Sequence, residues 1–282
     1  MIEVISKIED VRKTIKAWRR EGLSVGLVPT MGYLHEGHES LIERAAAEND
    51  RVVVSIFVNP MQFDQSSDLE NYPRNLEGDL KRCESKGADL VFNPNGEEMY
   101  GKGFTSMVDT LKVSQGLCGG HRPGHFRGVC TVVTKLFNIT APDRAYFGQK
   151  DAQQLAVIKR MVEDLNFDIE IVACPIIREE DGLAKSSRNV RLGAEERKAA
   201  AIISRALFHG EDMIKAGERD SLSLINEIKA IIETEPLAEI EYVDVVDADS
   251  IEEVEKLTGN ILVAVAVKIG STRLIDNFYT QI

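Results

Sequence analysis

Residues 29–38 read Pro-Thr-Met-Gly-Tyr-Leu-His-Glu-Gly-His, which sets two imidazoles, His35 and His38, three positions apart. A short apolar run precedes them and an amphipathic stretch follows, so both rings fall at the start of a helix. Backbone N–H groups and the helix dipole favour an anion at such an end. Gly32 and Gly37 let main chain come close to a ligand, and two imidazoles there could donate hydrogen bonds to a phosphoryl oxygen as charge develops on it. Two other readings fit the same pair. It could be a well-capped turn with no ligand, or half of a zinc site completed by His121 and His125. The spacing is not that of HExxH, since the one acid between the rings, Glu36, adjoins His35. Neither common phosphate loop is present: there is no GxxxxGK[ST], GKGFTS at 101–106 has the wrong spacing, and no GxGxxG follows the first strand.

Further clusters surround this motif. They are Phe57-Val58-Asn59-Pro60-Met61-Gln62-Phe63, Tyr72-Pro73-Arg74, Arg122-Pro123-Gly124-His125-Phe126-Arg127-Gly128, Gly148-Gln149-Lys150-Asp151-Ala152-Gln153-Gln154 and Lys185-Ser186-Ser187-Arg188-Asn189. Taken singly, Gln62 and Gln154 could be surface amides, Lys150 and Arg188 surface charges, and Arg122 and Arg127 the dressing of a helix start. Taken together, all but Tyr72-Pro73-Arg74 follow a strand, open a helix or sit at a junction, where open α/β sheets hold ligands. The four cysteines, Cys83, Cys118, Cys130 and Cys174, form no CxxC and read as reduced, mostly buried thiols rather than nucleophiles. His209 reads as structural.

The elements that must carry these residues follow from hydrophobic periodicity. Ile8, Val11, Ile15 and Trp18 recur at helical spacing before Gly22, which predicts a helix over 8–20. A strand over Ser24–Val28, a helix over Glu39–Asn49 and a strand over Val52–Val58 come next, the last apolar on both faces. The alternation continues with a helix near 73–86, a strand at 89–92, a helix at 126–138, a strand at 144–147, a helix at 151–164 and a strand at 168–173. Such alternation predicts an α/β fold, a Rossmann-like, doubly wound parallel sheet. After Pro175 the pattern changes to one long helix over Ala194–Ala216, a second over 221–234, and strands at Ile240–Val246, Ile261–Val267 and Arg273–Asp276. That predicts a second, smaller α+β domain, with the boundary between 176 and 177.

Composition is that of an ordinary globular chain of 282 residues, 43% apolar and 28% charged. The formal charge is −12, yet unevenly spread. Residues 211–260 hold 15 acids and 4 bases, whereas 101–150 hold 2 acids and 7 bases. The overall sign argues against nucleic-acid binding, and the local basic segment suits a small anionic ligand as well as it suits a solvated face. No apolar run reaches membrane-spanning length and the first residues are unlike a signal peptide, so a cytoplasmic location with no membrane partner is expected.

In order, the segments PTMGxLHxGH, FVNPxQF, YPR, RPGHFxGV, YFGxKDxQQ and GLAxSSRN resemble those of the pantoate–β-alanine ligase (pantothenate synthetase) family, in the nucleotidylyltransferase superfamily with HIGH and KMSKS signatures. The resemblance spans residues 29–189. It implies ATP-dependent condensation of pantoate with β-alanine through pantoyl adenylate, with release of pyrophosphate and AMP, Mg2+ accompanying ATP, and a homodimer. His35 and His38 match the HIGH-like pair, with His38 as the proton or hydrogen-bond donor. Met31, Gly32, Tyr33, Leu34, His35, Glu36, Gly37 and His38 would line the nucleotide, as would Gly148, Gln149, Lys150, Asp151 and Ile177. Lys150 would meet the departing phosphates, and Lys185, Ser186, Ser187 and Arg188 would hold the triphosphate as the KMSKS-like strip. Gln62 would take pantoate and β-alanine, and Gln154 pantoate. Metal ligands stay unassigned, with Asp79 as a guess. Lys185 and Gln149 depart from residues common in relatives, an aliphatic or Met and a Glu; Lys185 would add positive charge beside the phosphates. Domain 1–176 would bind nucleotide and pantoate, with 177–282 as a lid. The alternatives are a superfamily nucleotidylyltransferase acting on another small substrate, and a nucleotide sensor without turnover.

Overall fold

A computed structural model describes residues 2–64 and 66–282. They form two compact units, the first from residues up to Thr110 with Arg122–Gln149 and Val157–Pro175, the second from Leu111–His121, Lys150–Ala156 and Ile176–Ile282.

In the first unit, β1 (Glu3–Ile5), β2 (Val25–Thr30), β3 (Arg51–Ile56), β4 (Leu90–Phe92), β5 (Arg144–Gly148) and β6 (Glu170–Cys174) form a parallel sheet ordered β1-β4-β3-β2-β5-β6. Helices α1 (Ile8–Arg20), α2 (Glu36–Glu48), α3 (Ser66–Glu70), α4 (Leu76–Ser85) and α5 (Gly96–Met99) lie between these strands in the chain. Helix α6 (Leu117–His121) belongs to the second unit, α7 (His125–Thr140) to the first, and α8 (Ala152–Asp164) starts in one and ends in the other. Val25, Leu27 and Val28 of β2 and Val52, Val53 and Val54 of β3 are all buried, as strands covered on both faces must be. Leu41, Ile42 and Ala45 of α2 pack with Val28, Val52, Val54 and Tyr146. Strand order reverses between β2 and β5, and the carboxyl ends of those strands are where such sheets bind ligands.

Strand β2 runs through Pro29 to Thr30, past the predicted end at Val28. Its pairing with β5 stops at Leu27, so the strands have parted before Pro29 and its missing N–H interrupts no ladder there. Strand β1 escaped the sequence reading because three residues with only Ile5 buried carry no periodicity. All four cysteines are buried and free, and burial pushes the Cys83 and Cys130 thiols up to about 12, far from a nucleophile's range.

In the second unit, β7 (Ala238–Asp247), β8 (Asn260–Ile269) and β9 (Thr272–Gln281) form an antiparallel sheet. Helices α9 (Ala194–Ala199), α10 (Ala201–Lys215) and α11 (Ser221–Ile232) complete it, with Ile203, Leu207, Leu224 and Ile228 packed in one core with Val243, Val263 and Val265. The single helix expected over 194–216 is therefore two, divided at Ala200, where the Ile203 N–H reaches back only three residues to the Ala200 carbonyl. Strand β9 is longer than the predicted 273–276, because Asp276 and Asn277 are both buried and break the apolar–polar alternation.

Candidate active site

Helix α2 is capped by its own histidines. His35, in extended backbone at φ −137°, is the N-cap, and its Nδ1 accepts from Gly37 N at 3.2 Å. In return His38 Nδ1 accepts from His35 N at 3.3 Å. The ring centroids are 4.0 Å apart. An imidazole nitrogen that accepts from a backbone N–H holds no proton, so each neutral ring carries its hydrogen on Nε2. The cap thereby turns both histidines into Nε2–H donors. Gly37 is required sterically, since a Cβ there would lie 2.9 Å from the His35 ring.

The loop leading into this cap is strained and clamped. Gly32 and Tyr33 both have left-handed backbone, φ 83° and 53°, a conformation costly for tyrosine. Asp79, at the start of α4 and 3% exposed, accepts Tyr33 N at 2.9 Å and Leu34 N at 2.7 Å. Burial pushes its carboxyl pKa up, and the two amides and Arg82 work against that rise. A Cβ at Gly32 would meet Asp79 Oδ2 at 3.0 Å, so the chain approaches this carboxylate as only glycine can. Asp79 is thus a main-chain clamp, each of its oxygens accepting one backbone N–H.

Gln62 ends a 3-10 turn over Pro60–Gln62 and is buried. Asn59 Nδ2 donates to Gln62 Oε1 at 3.0 Å and to the Gly128 carbonyl at 3.1 Å, while Tyr100 Oη donates to Asn59 Oδ1 at 2.7 Å. Gln62 Nε2 then points to Met31 Sδ at 3.1 Å. Its backbone carbonyl takes His125 Nδ1 at 2.7 Å and Arg122 Nη2 at 3.3 Å. His125 Nε2 lies 3.4 Å from Arg122 Nη1, so it is the acceptor and Nδ1–H the donor. Arg122 also pairs with Asp64, and Arg127 with Asp109. Arg122 and His125 of the RPGHFRG block thus buttress the Gln62 turn, a role the sequence left unassigned. The zinc reading fails on the same ground: His125 is spent on this turn, His121 faces Glu241 in the second unit, and no group of three metal-ligating side chains occurs among the described residues.

Gly148 closes β5, and a Cβ there would meet nothing within 4 Å. Gln149–Asp151 make one 3-10 turn. Gln149 is half-buried and Asp151 exposed.

In the second unit, Lys150 is half-buried, and Asn277 Nδ2 holds its backbone carbonyl at 2.9 Å. Of the two adjacent glutamines on α8, Gln153 is consumed: its Nε2 donates to the carbonyls of Val113, Gln115 and Gly116, and its Oε1 accepts from Gly119 N. The side chain of Gln154, one position round the helix and half-buried, takes part in no hydrogen bond among the described residues. That leaves its amide available, which the sequence could not distinguish.

The Lys185–Asn189 strip leaves a small antiparallel ladder. Arg178 bridges to Ala184, Lys185 N donates to the Ile177 carbonyl at 2.9 Å, and Arg178 forms a bidentate pair with buried Asp276 at 2.6 and 3.1 Å. Ser186 Oγ caps the following 3-10 turn by accepting from Arg188 N at 3.3 Å. Ser187 is buried and Arg188 half-buried. Lys185 Nζ lies 3.0 Å from Glu179, so its charge is matched within the loop rather than added outright to the site as the sequence suggested.

Several comparisons bear on this arrangement. The sequence model of the family described as Pantoate-beta-alanine ligase matches residues 3–279. A protein named pantothenate synthetase from Clostridium acetobutylicum is 60% identical over 277 residues, which is 98% of this chain and 99% of that one. A pantothenate synthetase structure from Thermus thermophilus superposes with a TM-score of 0.93 at 42% identity, covering 98% of this chain and 99% of its own. The pantoate-beta-alanine ligase of Francisella tularensis, described as complexed with beta-gamma ATP and beta-alanine, has a TM-score of 0.80 at 35% identity over 99% and 97% of the chains.

Proposed function

The chain belongs to the pantoate–beta-alanine ligase family, and from that premise we propose that its paired histidines serve the adenylation of pantoate. The enzyme condenses pantoate with β-alanine at the expense of ATP. A pantoate carboxylate oxygen bonds to the α-phosphorus, the bond to the bridging oxygen breaks, and pyrophosphate leaves. The β-alanine amine then attacks the acyl carbon, loses a proton, and AMP departs with the electron pair of the acyl–oxygen bond. The observation that carries this reading is the reciprocal cap of His35 and His38, which fixes Nε2–H as the donor on each ring. Such pre-set donors stabilise phosphoryl charge without reorganising during the reaction.

The remaining assignments belong to the same proposal. His38 donates to the reacting phosphate, with His35 beside it, and the backbone from Met31 to His38 lines the nucleotide. Lys150 and Arg188 meet phosphate charge. Gly148, Gln149, Asp151, Ile177, Lys185, Ser186 and Ser187 complete the nucleotide contacts. Gln62 orients pantoate and β-alanine and Gln154 orients pantoate, neutral amides that hold a carboxylate without quenching its nucleophilicity. Mg2+ enters as the counter-ion of ATP, in keeping with its habit of binding through substrate phosphates; the described residues offer no group of three His, Cys, Asp or Glu side chains that could cage it. The division into a nucleotide- and pantoate-binding part (1–176) and a lid (177–282), a homodimeric state and a cytoplasmic location also stand as part of the proposal. No helix among the described residues is long and apolar enough to cross a membrane.

The test is exchange of pyrophosphate into ATP that requires pantoate, followed by AMP release that requires β-alanine. Exchange without pantoate, or nucleotide binding without turnover, would defeat the assignment.

A further inference from the structure

Strand β9 buries two consecutive polar residues, Asp276 and Asn277, where alternation would bury one. Each is tied to a different cation-bearing segment of the second unit. Asp276 grips both outer nitrogens of Arg178, and Arg178 Nη1 also donates to the Gly182 carbonyl at 3.0 Å. Since Arg178 bridges to Ala184 and Ile177 takes the Lys185 N–H, this grip fixes the root from which Ser186–Arg188 emerges. Asn277, the next residue, donates to the backbone oxygen of Lys150. A buried ion pair gives little stability beyond what apolar side chains of the same volume would give. Its bidentate geometry, however, fixes direction closely. The arrangement therefore contributes placement more than strength.

We propose that Asp276 and Asn277 are positioning residues for the phosphate-handling cations, setting the Lys150 backbone and the 186–188 strip from one rigid strand. The proposal rests on the assignment of Lys150 and Arg188 to the phosphates. It predicts an effect confined to the first half-reaction, where pyrophosphate leaves.

Asn277→Ala leaves the Arg178 ion pair in place and is the deciding variant. Expected are a thermal midpoint lowered by only a few degrees, as losing one buried hydrogen bond implies, a pantoate-dependent exchange rate lower by about 10-fold, within the range that a small misplacement costs, and an unchanged rate of β-alanine attack on supplied pantoyl adenylate. Combined with Lys150→Ala, it should add no further loss, because it acts through Lys150. Asp276→Asn, checked for native near-ultraviolet dichroism, should raise the KM for ATP by about 10-fold. Normal exchange in Asn277→Ala, equal loss in both half-reactions, or full additivity with Lys150→Ala would overturn the proposal. Wild-type exchange in Lys150→Ala alone would instead defeat the assignment of Lys150 beneath it.

Discussion

Asn59 Nδ2 lies 3.0 Å from Gln62 Oε1, and that contact decides which end of the Gln62 amide is held and which faces Met31. Thioether sulfur is a weak acceptor, so Nε2 is the end that a substrate oxygen can claim at little cost. Asn59→Ala frees the amide to rotate and leaves Tyr100 Oη and the Gly128 carbonyl without this partner. The expected outcome is a KM for pantoate raised about 10-fold, equivalent to roughly 1.4 kcal/mol, with ATP affinity unchanged. Tyr100→Phe removes only the support behind Asn59 and should raise it less. Steady-state titration of each substrate checks both.

Asp79 illustrates a different dependence, of ring placement on a carboxylate that faces neither ring. Its oxygens hold Tyr33 N and Leu34 N, and Tyr33 is in left-handed backbone that needs such restraint. Asp79→Asn turns one acceptor into a donor facing an N–H. Leaving a buried amide unsatisfied costs about 1–3 kcal/mol, which denaturant unfolding should show. Pyrophosphate exchange should fall further than the stability loss explains, about 10²-fold, because the His35–His38 cap is re-aimed.

Sequence reading reached the sheet, its alternation and the clusters around His35, Gln62, Lys150 and Ser186, since each is a local pattern of period or spacing. It missed what depends on contacts between distant segments. Asp79 offered only an acid near a helix start, with nothing to say that its oxygens reach Tyr33 and Leu34, 45 residues and more away. Gln153 and Gln154 are identical letters, and only the turn at 113–119 separates a spent amide from an available one. Asp276 and Asn277 hid part of β9 for the same reason that they matter, being polar residues turned inward toward partners far off in the chain.

Helix α1 should report pH through Glu98. Its N-cap, Lys7, makes no side-chain cap; instead Glu98 accepts from Ile8 N at 3.0 Å and from Lys7 Nζ at 2.9 Å. The Lys7 hydrogen bond first, then the Ile8 amide, hold the Glu98 carboxyl below its ordinary value. A lowered folded pKa contributes stability above the unfolded pKa of about 4.3, and this is lost as pH falls through the folded value. Glu98→Gln should therefore melt below the parent at pH 7, and the gap should close as the pH falls through the lowered folded value. A gap that persists below it would mean that packing, not charge, is responsible.

Gly128 sits on α7 against the 3-10 turn that carries Gln62, and its missing side chain is what lets the two elements touch. A Cβ at this position would lie 2.3 Å from the Met61 carbonyl oxygen and 2.7 Å from Gln62 Cα, distances at which backbone must move. Backbone cannot rotate aside as a flexible side chain could. The turn is also tied to the same helix through His125 on the Gln62 carbonyl and Asn59 on the Gly128 carbonyl, so the strain falls on the Gln62 placement itself. Gly128→Ala gains helix propensity of up to about 1 kcal/mol, against overpacking that costs about 1–3 kcal/mol. The net expectation is a modest loss of stability by denaturant unfolding, together with a KM for pantoate raised at least as much as in Asn59→Ala and unchanged nucleotide binding. If the helix gain dominates and pantoate is bound normally, the turn is free to shift and Gln62 is not held by α7.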